Sequence, residues 1–161
     1  MLYSMDSITY KKCKVFFPPI KEGKVIKVYD GDTITIATKM PYDDNFYRFS
    51  VRIRGIDCPE IKSKNSNEKL CAIMARDFLK EIIFNKLAKL EEISYDKYGR
   101  ILADVYVDDL NISELMINES LAVKYDGGRK KEIDWFEYYK EKHTDYTSSN
   151  SPYKRLKDMP Y

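Results

Sequence analysis

Three runs of alternating apolar and polar residues precede the best helix of this chain, and two follow it. Residues 24–29 alternate, Asp30-Gly31 interrupts them, and residues 33–38 resume the pattern, which reads as strand, tight turn and strand. Residues 46–56 make the third run, with Val51 and Ile53 on one side and Arg52 and Arg54 on the other. Between them, residues 40–45 hold Pro41 and two aspartates and read as a loop. Pro59 ends the third run, because proline cannot donate to a ladder. Cys71, Met74, Ala75, Phe78 and Ile82 then recur at helical spacing up to about residue 85. Asn65, with Glu68 three residues on, predicts the capped start of that helix. Residues 87–95 and 101–107 read as two more strands around a turn at Lys97-Tyr98-Gly99. Asn111 with Glu114 repeats the capping pattern and opens a helix to about residue 122. Ile133, Phe136 and Tyr139, spaced three apart, predict a short third helix between residues 130 and 142.

Five short strands broken by a helix after the third suit an α+β fold with a mainly β core. The expected architecture is a five-stranded OB-fold β-barrel with about three α-helices. An open antiparallel sheet with helices on one side is the runner-up. A length of 161 residues allows one domain with some tail. The domain is expected at residues 21–143, after an extension at 1–20 punctuated by Pro18-Pro19 and before a polar tail at 144–161.

The net charge of +2 makes no global demand for a polyanion, so any such partner must be met by a local basic cluster. Three cysteines with no CxxC spacing read as free thiols in a reducing compartment. A single histidine argues against zinc. No charged head followed by an apolar block opens the chain, and no apolar run approaches membrane-spanning length. The default is an intracellular, cytoplasmic protein without a membrane partner, and a monomer is expected.

Three short blocks carry the candidate chemistry. Asp32 lies in Asp30-Gly31-Asp32-Thr33, where Gly31 is expected to let the backbone bend so that Asp32 leaves the turn toward the site. Arg52, Asp57, Cys58 and Glu60 lie within ten residues of one another, and Arg100 closes Asp96-Lys97-Tyr98-Gly99-Arg100. Asp32, Asp57 and Glu60 offer hard oxygen donors, which suit Ca²⁺ or Mg²⁺ rather than zinc or copper. Calcium is preferred because it tolerates irregular sets that include a carbonyl, such as that of Cys58. A phosphodiester under attack gains charge on its equatorial oxygens, and the forks of Arg52 and Arg100 match those oxygens. Removing either is expected to cost about 100-fold or more in rate. Glu60 would position or deprotonate a water. Lys97 and Tyr98 could touch a terminal phosphate, and Tyr125 could stack on a base. Each residue alone has a plainer reading: a hairpin turn for Asp30-Gly31, a solvated loop for Asp57 to Glu60, a core or rim tyrosine for Tyr125. For the arginines it is a surface ion pair worth about 0–1 kcal/mol, which for Arg54 is preferred unless it supports a phosphate.

These words, in this order and at about these separations, resemble the staphylococcal nuclease-like (thermonuclease) family over residues 24–128. The resemblance implies an OB-fold barrel, Ca²⁺ dependence and cleavage of DNA and RNA. It implies that Asp32, Asp57 and the Cys58 carbonyl bind calcium, that Glu60 serves as general base, and that Arg52 and Arg100 bind the scissile phosphate. Cys58 stands where the best-known member has threonine, a change that leaves a carbonyl ligand intact. The stretch from Glu60 to Arg100 looks shorter than in the family, and the loop at residues 40–45 longer. A non-catalytic OB-fold nucleic-acid-binding module is the alternative, and an interaction scaffold a third reading. A degenerate module would be expected to have lost one of Asp32, Arg52, Asp57, Glu60 or Arg100, and all five are present.

Overall fold

A computed structural model describes residues 5–143. Its barrel strands are β1 (Glu22–Asp30), β2 (Thr33–Met40), β3 (Asp43–Ile53), β5 (Leu87–Tyr95) and β6 (Ile101–Val107). Three two-residue strands, β4 (Ile56–Asp57), β7 (Leu110–Asn111) and β8 (Val123–Lys124), decorate it. The helices are α1 (Ser66–Ile83), α2 (Ile112–Asn118) and α3 (Trp135–His143). Antiparallel pairing runs β3-β2-β1-β5-β6, and a parallel pairing of β3 with β6 closes the ring. A closed ring leaves no long open edge, and this five-stranded closure is the OB-type barrel.

Inward positions follow the alternation. Val25, Ile34, Ile36, Val51, Ile53 and Val105 are at most 1% exposed and meet Ala75, Leu79 and Ile83 of α1 in one core. Helix α1 starts where Asn65 Oδ1 accepts the backbone N–H of Asn67 and Glu68 at 2.9 and 3.2 Å. Glu68 does not reach back to the Asn65 N–H. It accepts the Glu60 N–H at 3.2 Å and the Ser63 hydroxyl at 2.6 Å, and so ties the loop before the helix to its first turn.

Four local readings are corrected. Residues 40–45 are not a loop: β2 and β3 continue through them, with Met40 opposite Asp43 and only Pro41-Tyr42 between. Asp43 survives in a strand because its carboxylate accepts the Asn45 N–H and the Tyr47 hydroxyl. The third run breaks at Arg54-Gly55, where Gly55 has φ +82°, and Ile56-Asp57 turns away to pair with β8. Helix α2 stops at Asn118, because Ser120 enters the left-handed region at φ +56° and turns Leu121 and Ala122 into the core. Helix α3 begins at Trp135, where Asp134 Oδ1 accepts the Glu137 N–H at 3.1 Å.

Pro18 and Ile20 are buried, and Phe17 stacks on Tyr95 at 4.8 Å, so the barrel holds the end of the N-terminal stretch. The predicted tail at 144–161 lies outside the described residues. Among the described residues no helix is long and apolar enough to cross a membrane.

Candidate active site

The β1–β2 turn, Gly31-Asp32, delivers Asp32 to the start of β2, and the register sets Thr33 directly opposite Arg52 on β3. Gly31 is needed for space rather than for a left-handed backbone. A Cβ there would sit 2.8 Å from Cys58 Sγ and 3.0 Å from the Ala75 methyl. The missing side chain lets the turn lie against Cys58 and α1, which fixes Asp32 beside the Asp57-Cys58 segment.

Arg52, Asp32 and Asp57 are 8%, 6% and 6% exposed. Arg52 Nη1 lies 2.5 Å from Asp32 Oδ2, and Nη2 lies 3.4 Å from Asp57 Oδ1 and donates to the Ile56 carbonyl at 3.0 Å. The second Asp32 oxygen accepts the Thr33 hydroxyl at 2.9 Å, and Oδ2 also accepts the Cys58 N–H at 3.3 Å. Arg100 Nη1 donates to Thr33 Oγ1 at 3.4 Å. On the other side Lys130 Nζ lies 2.9 Å from Asp57 Oδ1 and 2.7 Å from Glu60 Oε1. One polar chain therefore runs Arg100, Thr33, Asp32, Arg52, Asp57, Lys130, Glu60. It joins all five of the charged residues singled out in the sequence.

Burial is the largest influence on Asp32 and, with help from the Asp30 carboxylate, pushes its carboxyl up to about 7 against the pull of Arg52. Burial also drives the Cys58 thiol well above its ordinary value, with the Asp32 charge adding to the effect, so the thiol stays protonated. The hydrogen bond from Lys130 holds Glu60 below its ordinary value. Burial alone would lower Lys130, but its hydrogen bonds to Glu60 and Asp57 outweigh that and raise it. Burial works against Asp96 ionising. It is outweighed by hydrogen bonds from the Arg100 side chain and from the Arg100 and Tyr98 backbones, which hold Asp96 low.

Asp96 organises the third block. Its Oδ2 accepts Arg100 Nε at 2.6 Å, and its Oδ1 accepts the N–H groups of Tyr98 and Arg100 at 2.8 and 2.9 Å. Tyr98 projects from this turn with 72% exposure, and its ring lies 5.1 Å from Lys97 Nζ and 5.6 Å from the Arg100 guanidinium. Tyr125 stands apart from the chain of charges. Its N–H bonds the Gly55 carbonyl at 2.9 Å, its hydroxyl donates to the Gly128 carbonyl at 2.7 Å, and with Asp57 it lines a depression of about 460 Å³. Arg54 is more than a surface pair. It donates to Ser94 Oγ and the Leu102 carbonyl, both at 3.1 Å, and so staples β3 to β5 and β6.

The donor set around Arg52 is made of hard oxygens, and a guanidinium cation already bridges the two buried carboxylates. That fits a hard divalent ion in kind. Among the described residues no three carboxylate, histidine or cysteine side chains gather to hold one. Asp32 and Asp57 would therefore hold such an ion with carbonyls and water completing its shell. Thr33, Asp96 and Lys130 were missed as members of the site. Thr33 and Asp96 sit inside the quoted blocks, and an Asp before a glycine turn signals an organiser. Lys130 carried no signal, because 70 residues separate it from Glu60.

The sequence model of the staphylococcal nuclease homologue family matches residues 50–145. The chain belongs to that family. It is 30% identical over 105 residues to an uncharacterized endonuclease of Escherichia coli, covering 65% of this chain and 61% of the relative. It is 34% identical over 101 residues to the thermonuclease of Staphylococcus hyicus, covering 62% and 56%. An SPbeta prophage-derived endonuclease of Bacillus subtilis is 37% identical over 99 residues, covering 60% and 31%. The chain spans less than two thirds of the length of each of these relatives.

Proposed function

We propose that this chain is a nuclease that hydrolyses phosphodiester bonds of DNA or RNA with the help of Ca²⁺. One observation carries the reading: Arg52 and Arg100 reach Asp32 and its neighbour Thr33 from two different strand ends, beside a second buried carboxylate, Asp57. Family membership and relatives named endonuclease and thermonuclease support it.

In this reading Arg52 and Arg100 hold the phosphoryl oxygens, and their fixed positive charge favours the more highly charged transition state. Glu60, at 60% side-chain exposure and held ionised by Lys130, orients or deprotonates the attacking water. Asp32, Asp57 and the Cys58 carbonyl are the proposed Ca²⁺ ligands, with Mg²⁺ the second choice. When bound, the ion would neutralise a phosphate oxygen. Lys97 and Tyr98 would touch a terminal phosphate, and Tyr125 would stack on a base. The working unit is taken as residues 21–143.

The test is digestion of single-stranded DNA and RNA by the purified chain with Ca²⁺ and with excess chelator. Cleavage that needs the ion is expected. Intact binding with no cleavage under any divalent ion would instead assign the chain to the non-catalytic binding modules.

A further inference from the structure

Residues 125–134 pass the site without helix or strand, between β8 and α3. Both ends of this strap are pinned. At one, the Tyr125 N–H bonds the Gly55 carbonyl and the Tyr125 hydroxyl donates to the Gly128 carbonyl. At the other, Asp134 caps α3, whose Trp135 and Tyr139 are buried. Between the pins, the hydrogen bonds and ion pairs that residues 129–133 make with other described residues all belong to Lys130. Residues 126–132 are exposed, and Gly127 holds φ +93° with nothing within 4 Å of where a Cβ would stand. The middle of the strap thus hangs on one side chain beside a glycine free to pivot.

Two depressions flank the strap. Asp57, Lys131 and Ile133 line both of them. Glu60, Lys130 and Trp135 also line the first, of about 440 Å³, and Tyr125 and Arg129 the second, of about 460 Å³. Beneath the strap, Asp57 Oδ1 faces two cations, Lys130 Nζ at 2.9 Å and Arg52 Nη2 at 3.4 Å. They are not equally held. The Arg52 side chain is 10% exposed, pairs with Asp32 and donates to the Ile56 carbonyl. The Lys130 side chain is 46% exposed and stands on the unpinned middle of the strap. A divalent ion at Asp57 would bring a third positive centre within a few ångströms, where like charges repel strongly away from bulk water. Lys130 is the cation that can withdraw. Its bond to Glu60 need not break, because that side chain is 60% exposed and can move with it.

We propose that Lys130 is a latch, a built-in cation that holds the strap across Asp57 and that a divalent ion must displace. Loading the ion then loosens the strap, and the partition between the two depressions gives way. The ion and the latched strap are alternatives at one carboxylate, so each weakens the other by the same factor. The proposal rests on the reading of Asp57 as an ion ligand. It assigns Lys130 a second role besides holding Glu60, that of setting how tightly the ion binds.

Ion binding and strap movement are measured on the full chain without substrate. Calorimetry gives the Ca²⁺ affinity. Acrylamide quenching of Trp135, the one tryptophan of the chain and a wall of the first depression, reports the strap. Lys130→Met is expected to raise the Ca²⁺ affinity about tenfold or more, because the charge set around the ion tunes such sites. Lys130→Arg keeps a cation on the strap and should stay within about threefold of the parent. In the parent, Ca²⁺ should increase the quenching of Trp135. In Lys130→Met quenching should already be high in chelator and change little with the ion. Equal or weaker Ca²⁺ affinity in Lys130→Met would overturn the latch, and so would Ca²⁺ binding to the parent that leaves Trp135 unchanged. Either result leaves the nuclease reading standing if the parent cleaves DNA or RNA with Ca²⁺. A methionine variant that binds the ion tightly, with neither protein cleaving nucleic acid, keeps the latch and removes the nuclease reading. If neither protein binds Ca²⁺, the latch and the calcium site fall together.

Discussion

Arg52 Nη1 and Asp32 Oδ2 are 2.5 Å apart, and the two side chains expose 10% and 9% of their surface. Such a pair is a weak source of stability, because removing both charges from water offsets most of their attraction. Its position between β1–β2 and the Asp57 segment instead gives three separate pieces of chain one charge-matched centre.

Removal of Arg52 should therefore show in two measurements. Arg52→Ala strands Asp32 as a buried carboxylate, leaves Asp57 with Lys130 as its cation, and is expected to cost about 3–5 kcal/mol in denaturant unfolding. Turnover should fall about 100-fold or more. Arg52→Lys restores the charge but not the fork, so stability should recover more than rate. A lysine variant with near-native turnover would remove Arg52 from the phosphate.

Asp96 sets the aim of Arg100. In Asp96→Asn the acceptor for the backbone N–H groups can remain, while an amide replaces the oxygen that takes Arg100 Nε at 2.6 Å. Turnover should drop about tenfold or more with little change in melting temperature. An unchanged kcat would show that Arg100 works without this tether.

The strand order, the helix after the third strand and the Asn65 and Asn111 caps were legible, because each rests on local spacing or on one side-chain hydrogen bond. The polar side of β3 was legible too. What alternation cannot tell is what covers a polar side. Arg52 looks solvent-facing in the sequence and is enclosed by carboxylates 20 residues before and 5 residues after it. Gly31 was placed correctly but for the wrong reason, since a backbone angle can be guessed from a turn and a contact with Ala75 cannot. Lys130 lies between a glycine pair and the periodic residues of the third helix, and only the folded chain brings it to Glu60.

Gly31→Ala tests that contact. The added methyl meets Cys58 and Ala75, both buried, with no flexible side-chain end to give way. An overpacking loss of about 1–3 kcal/mol is expected, with turnover reduced because Asp32 and Cys58 shift together. A parent-like melting temperature would mean that the turn has room the distances deny.

Lys130 should appear in the pH profile. It holds Glu60 below its ordinary value of 4.5, so Lys130→Met is expected to let that carboxyl rise. The acid limb of kcat/KM should then move to higher pH, since Glu60 must be ionised to accept a proton. An acid limb that stays in place would show that another group sets it.

Asp32 supplies the last prediction, on stability in the absence of divalent ions. Its carboxyl is pushed from an ordinary 3.8 up to about 7, chiefly by burial. The folded chain then binds a proton more tightly than the unfolded chain does. The sign follows from linkage: this contribution to stability is fully present below the unfolded value and is lost as pH rises through about 7. Unfolding free energy in chelator should fall between about pH 4 and about pH 7, by at most about 1.4 kcal/mol per pH unit from this group. Asp32→Asn should flatten that slope, since its amide does not titrate. Calcium should act in the opposite sense. Its ligands must be ionised, so its affinity should rise over the same window, with proton release visible by calorimetry in buffers of different ionisation heat. A parent slope that Asp32→Asn leaves unchanged would show that Asp32 stays ionised beside Arg52 throughout, and that their ion pair outweighs burial.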